Sequence, residues 1–180
     1  MENPVKEIPY LIHSLTQGSS DIQKQVLDTY FMPNCAFLHP FCRVDSLADI
    51  LVSNIGIVNS RWLIWMIYRW YRFLSPRTVL EVHSAVLDHG QNILYVQVSQ
   101  VFSVWFIPFY HAHVHLVTML HLTRSPYDHK YYICKQEDHY QLNEVVKFFW
   151  PYGNVVLTLW QFMTTFFCVM GSLIFAHQES

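Results

Sequence analysis

The hydrophobic period of the chain changes at Ser75-Pro76, and this change limits the fold more than any other feature of the sequence. Before it, apolar residues recur at helical spacing. After it, from Thr78 to Tyr140, they alternate with polar ones at a period of two, the mark of half-buried strands. Helices followed by a run of hairpin-linked antiparallel strands imply an α+β domain.

In the first half, Val5–Thr16 and Ser20–Phe31 read as short helices separated by Gly18-Ser19, with Ser20 or Asp21 as N-cap. Pro33, Asn34 and Pro40 break the helical pattern, so Cys35–His39 is expected to be extended. Asp45 is expected to cap a longer helical region running through Ile50, Leu51 and Ile55 and on from Asn59 to Leu74. Its stretch Trp62–Tyr68 is apolar nearly all round and should be buried on most sides. In the second half, the predicted strands are Thr78–Leu87, Ile93–Trp105, His111–Thr123 and Tyr131–Tyr140, with a turn at Asp88–Asn92 and a short helix over Gln141–Trp150. The aromatic tip Trp105–Tyr110 suits either a membrane interface or burial against the domain's own helices.

Only 13% of the residues are charged, against 52% hydrophobic and 17% aromatic. Soluble domains carry roughly 25% charged residues, so much of this surface should face lipid, a partner or an apolar pocket. The net charge of −2 and the absence of a basic cluster argue against nucleic acid as a partner. The four cysteines form no CxxC pair and read as reduced thiols.

Val155 to Ala176 is a run of 22 residues without a charge, roughly 33 Å long as a helix, about one hydrocarbon core. This divides the chain into a domain over 1–150 and a hydrophobic tail over 151–180. The tail is expected to be a transmembrane anchor contacting lipid through 154–176, in the endoplasmic reticulum membrane with the domain facing the cytosol. A core helix is the alternative. Thr158, Gln161, Thr165, Cys168 and Ser172 form one stripe at helical spacing, suited to packing on a second copy or a membrane-bound pathway enzyme.

Several residues carry candidate chemistry. His39 precedes a proline, which holds its backbone extended; its imidazole suits general acid or base work or a structural bond to a neighbouring carbonyl. Gln136, Asp138 and Tyr140 share one strand face. In an apolar cavity Asp138 would have a raised pKa and could move a proton; otherwise it pairs with an arginine behind the sheet or caps the helix near Gln141. His111, His113 and His115 share a face too, and His-x-His on a strand can hold zinc. No carboxylate or cysteine partner lies near them in sequence, so no metal is expected.

Two strings, Phe37-Leu38-His39-Pro40-Phe41-Cys42-Arg43-Val44 and Tyr132-Ile133-Cys134-Lys135-Gln136-Glu137-Asp138-His139-Tyr140-Gln141, together resemble the fungal SigF-like branch of the nuclear-transport-factor-two-like (SnoaL-like) superfamily. The resemblance spans about Tyr10 to Trp150 and implies a cone-shaped fold, a curved antiparallel sheet packed on the N-terminal helices with a pocket between them. It implies isomerisation, dehydration, cyclisation or simple ligand holding. The pocket should be lined by the segment at His39, by the aromatic helix through Tyr68, and by Gln136, Asp138 and Tyr140. The expected function is a membrane-tethered, cofactor-independent cyclase or isomerase for a hydrophobic secondary-metabolite intermediate, a polyketide or terpenoid. His39 and Asp138 would be the catalytic residues, with Tyr68, Gln136 and Tyr140 binding substrate. The alternative is a non-catalytic lipid- or sterol-binding accessory protein at the endoplasmic reticulum.

Overall fold

The computed structural model describes residues 1–53, 56–103, 111–141, 143, 145–146 and 153–176. They form two compact units, Met1–Tyr140 and Gln141–Ser180.

The first unit opens with α1 (Pro4–Gln17) and α2 (Ser20–Tyr30). The Asn3 side chain caps α1 by accepting from the Lys6 amide, and Ser19 caps α2 by accepting from Ile22. Gly18 joins them where no side chain fits: a Cβ there would lie 2.2 Å from the Ser14 carbonyl oxygen. Ile8, Leu11 and Leu15, spaced four and three apart, are buried on one stripe of α1.

β1 (Phe31–His39) and β2 (Cys42–Val44) follow. The expected helix from Asp45 through Leu51 does not form. β3 (Ile50–Val52) and β4 (Gly56–Val58) make a separate antiparallel hairpin instead. Ile50, Val52, Ile57 and Val58 are β-branched, which favours strands. Gly56 takes φ +94, open to glycine alone without strain. Ile55 lies outside the described residues. The helix proper is α3 (Ser60–Leu74), capped by the Asn59 side chain on the Trp62 amide. Only Ser60, Ile64 and Tyr68 of α3 are buried, so it buries one stripe rather than most sides.

β5 (Val79–Asp88), β6 (Ile93–Phe102), β7 (Ala112–Arg124) and β8 (Tyr131–Tyr140) complete a six-stranded sheet in the order β2-β1-β8-β7-β6-β5. The expected antiparallel sheet is mixed: β1 pairs parallel with β8, Phe37 opposite Gln136. Between them the chain runs through β2, the β3–β4 hairpin, α3 and β5–β7, which permits parallel pairing. Register shifts at Val82/Ser84, His121/Leu122 and Phe31/Ala36 curve the sheet. Leu94, Val96, Val98, Leu116, Leu120 and Leu122 are buried on the concave face and share one core with α1, α2 and α3. The aromatic tip expected over Trp105–Tyr110 lies outside the described residues, as does most of the expected helix over Gln141–Trp150.

The second unit contains α4 (Gly153–Ala176). Among the described residues no helix is long and apolar enough to cross a membrane. The transmembrane anchor expected over 154–176 is therefore not supported, although the helix itself forms. Thr158, Gln161, Thr164 and Thr165 interrupt its apolar run, and each polar group carries an insertion cost.

Candidate active site

The period of β8 turns Gln136, Asp138 and Tyr140 toward the concave face, and parallel pairing sets the end of β1 beside them. Thr118 of β7 stands opposite Asp138 in register, the polar exception in an inward row of Val114, Leu116, Leu120 and Leu122. Above the strands, Ile64, Tyr68 and Tyr71 follow one another along α3 at helical spacing.

One hydrogen-bonded group centres on Asp138. Its Oδ1 accepts from Thr118 Oγ1 at 2.8 Å and from Gln136 Nε2 at 3.1 Å. The Gln136 amide is held in turn by the Tyr68 hydroxyl, with Nε2 donating to it at 3.0 Å. No arginine pairs with Asp138 among the described residues, and the helix expected near Gln141 lies mostly outside them. Desolvation pushes its carboxyl from the usual 3.8 up to about 6, against the opposing pull of the Thr118 and Gln136 bonds. Asp138 is densely surrounded by protein, yet keeps partial accessibility.

The second group centres on His39. Its Nε2 lies 3.2 Å from the Tyr140 hydroxyl, and its Nδ1 lies 3.2 Å from the Tyr71 hydroxyl. Gln100 Nε2 donates to the Tyr140 oxygen at 3.3 Å, and the Cys42 thiol lies 3.2 Å from the Tyr71 hydroxyl. Phe37 stacks on the imidazole at 6.0 Å between ring centroids. Burial lowers the His39 pKa from 6.5 to about 4, so the ring is neutral at physiological pH. Burial together with the nearby Asp138 charge pushes the Tyr140 and Tyr68 hydroxyls up, so these phenols stay protonated.

All five residues singled out in the sequence, His39, Tyr68, Gln136, Asp138 and Tyr140, thus stand in two adjoining networks on the concave side. Tyr71, Cys42, Gln100 and Thr118 belong to the same networks and were not foreseen. Thr118 and Gln100 are legible in retrospect as polar residues at inward strand positions. Tyr71 is legible only as the residue three beyond Tyr68. Cys42 joins through a thiol–phenol contact.

The histidine row has a different setting. His113 and His115 are exposed on the convex side, and His111 Nδ1 meets Ser103 Oγ at 2.7 Å. Among the described residues no three His, Cys, Asp or Glu side chains gather closely enough to hold a metal. A cleft of about 330 Å³ between α2, the β3–β4 hairpin and α3 is lined by Lys24, Asp28, Asp49, Trp62 and Trp65 among others, and includes none of the two networks.

The SigF NTF2-like domain family matches residues 1–178. The chain belongs to that family. The SigF NTF2-like fold seen here has distant structural counterparts. One is a protein with a ketosteroid isomerase-like fold from Catenulispora acidiphila, in complex with trimethylamine: TM-score 0.54 and 15% identity over 78% of this chain and 90% of that one. Another is a protein provisionally named a SnoaL-like polyketide cyclase from Jannaschia: TM-score 0.51 and 14% identity over 82% of this chain and 94% of that one. A third is AclR from Streptomyces galilaeus, provisionally named a hydroxylase: TM-score 0.53 and 11% identity over 93% and 98% of the two chains. At such identities the likeness concerns the fold. No curated protein matches the sequence. The SigF NTF2-like assignment bears out the superfamily read from the two sequence strings, without addressing the fungal branch.

Proposed function

We propose that this SigF NTF2-like domain is a cofactor-independent isomerase or cyclase acting on a hydrophobic, carbonyl-bearing secondary-metabolite intermediate. The observation that carries the reading is the raised carboxyl of Asp138, enclosed by protein and set beside neutral hydrogen-bond donors. A carboxyl with a pKa near 6 exchanges protons close to neutrality. It can take a proton from carbon next to a carbonyl and return it elsewhere. The protonated Tyr140 phenol, held by neutral His39, suits the oxygen on which negative charge develops. The apolar surroundings strengthen both interactions and hold a flexible substrate in a reactive conformation. A carrier needs only an apolar recess, whereas here an acid, an imidazole and three phenols converge. The ketosteroid isomerase-like and SnoaL-like structural counterparts lend support at the level of fold.

The test is proton exchange. Hydrophobic ketones and β-diketones are incubated with the protein in D2O, and deuterium uptake next to the carbonyl is followed by NMR. Uptake by the native protein that disappears in Asp138→Asn supports the reading. Saturable binding without uptake favours the alternative, a lipid- or sterol-binding accessory protein.

We also propose that α4 contacts a lipid surface. Val155, Val156, Leu159, Trp160, Phe162, Phe166 and Phe167 are exposed along it, an apolar display that water does not favour. Co-sedimentation with phospholipid vesicles that is lost on removal of residues 153–180 supports this; equal partitioning of both forms refutes it.

A further inference from the structure

The hydrogen bonds around His39 fix which of its nitrogens carries the proton. Pro40 has no amide hydrogen, so the first one after the histidine belongs to Phe41. That amide turns back and donates to His39 Nδ1 at 3.3 Å. A backbone amide can only donate, so Nδ1 must offer a lone pair. In a neutral imidazole the hydrogen then sits on Nε2.

The rest of the chain of contacts follows in one direction. With Nδ1 accepting, the Tyr71 hydroxyl 3.2 Å away donates to it. The Tyr71 oxygen is then the acceptor for the Cys42 thiol at 3.2 Å. On the other side, Nε2–H donates to the Tyr140 oxygen at 3.2 Å, which also receives the Gln100 amide at 3.3 Å. Hydrogen bonds aligned head to tail polarise one another. Two donated bonds on the Tyr140 oxygen make that phenol a stronger donor in its own contacts.

We propose that the Phe41 amide and the Tyr71 hydroxyl lock His39 in the Nε2–H tautomer, so that His39 serves as a neutral donor toward Tyr140, with Tyr71 and Cys42 as positioning residues acting through it. This builds on the reading of the recess as a catalytic site and assigns its roles. His39 is not the base, because Nδ1 is occupied by a backbone donor and Nε2 already carries its hydrogen. Protonating Nδ1 would set one N–H against another, which opposes the imidazolium independently of burial. The groups facing the ring are Tyr71 from α3, Cys42 from β2 and Tyr140 from β8, with Asp138 two residues before Tyr140. Of the two candidates, the base is thereby Asp138.

The test needs no substrate. The full chain is labelled with ¹⁵N-histidine, and long-range ¹H–¹⁵N correlations are recorded at neutral pH. The His39 signals are identified among the 11 histidines by their loss in His39→Gln. The expected pattern is a protonated-type shift at Nε2 and an unprotonated-type shift at Nδ1; the reverse pattern overturns the proposal. The pKa of His39 gives an independent sign. Tyr71→Phe removes a donor to the neutral ring and should raise the pKa, while Tyr140→Phe removes an acceptor for Nε2–H and should lower it. Each change should be about half to one pH unit. In the opposite tautomer the two signs exchange, and that exchange refutes the lock. If a variant fails to fold, the native spectrum still decides. A reversed tautomer would leave the proton-exchange result for Asp138 untouched, so the two readings fail separately.

Discussion

Replacing Asp138 by asparagine should stabilise the protein at high pH and do nothing at low pH. In the fold the carboxyl titrates at about 6 instead of its ordinary 3.8. Between those values the folded chain holds a proton that the unfolded chain has lost. Stability from this group is therefore complete below about pH 4 and lost as pH rises through 6. At about 1.4 kcal/mol per pH unit, the ionised carboxylate costs about 3 kcal/mol above pH 7. Asparagine keeps an oxygen to accept from Thr118 Oγ1 and Gln136 Nε2 but never ionises. The variant should gain about 3 kcal/mol at pH 8, or roughly 6–12 °C in Tm for a chain of this size, and match the native protein at pH 4. His39 has the opposite effect. Its folded pKa is about 4 against 6.5, so it adds stability as pH rises through the same window, by a similar amount. In the native protein the two contributions nearly cancel. The asparagine variant should therefore show a rise in stability from pH 4 to 6.5 that the native protein lacks. Urea unfolding at pH 4, 6 and 8 measures this. A variant that is less stable at pH 8, or whose difference from native is the same at pH 4 and 8, refutes the reasoning.

Thr118→Val removes a donor that stabilises the Asp138 carboxylate, so its pKa should climb further, by about one pH unit, visible as a shift of the carboxyl titration in NMR. Asn59→Ala should cost about 1–2 kcal/mol in urea unfolding, because the side chain caps α3 at 2.9 Å and also holds Asp49 at 2.8 Å. A chain ending after Gln141 should unfold in one cooperative step with native-like circular dichroism, since the core cluster among the described residues runs from Met1 to Ile133. An aggregated or molten product would mean that the tail completes the core.

The sequence by itself determined the local elements wherever period and punctuation agreed. Tyr131–Tyr140 is the strand that its alternation describes, and that alternation alone puts Gln136, Asp138 and Tyr140 on one face. Asp88–Asn92 turns as its composition implies, with Asn92 in the left-handed region at φ 55. The two short strings also carried the superfamily. Where β-branched residues competed with a helical reading, at Ile50–Val58, local pattern was ambiguous and a hairpin won. Tertiary structure decided the site. His39 and Tyr140 are 101 residues apart and meet because β1 pairs parallel with β8, a long-range pairing that no local period encodes. Tyr71 enters because the face of α3 that buries Ser60, Ile64 and Tyr68 continues to half-buried Tyr71, which meets His39 at the end of β1. The ionisation of Asp138 and His39 depends on how densely other segments enclose them. A strand's own sequence says which way a carboxyl points; only the packed fold sets the solvent that it loses, and with it the pH at which it works.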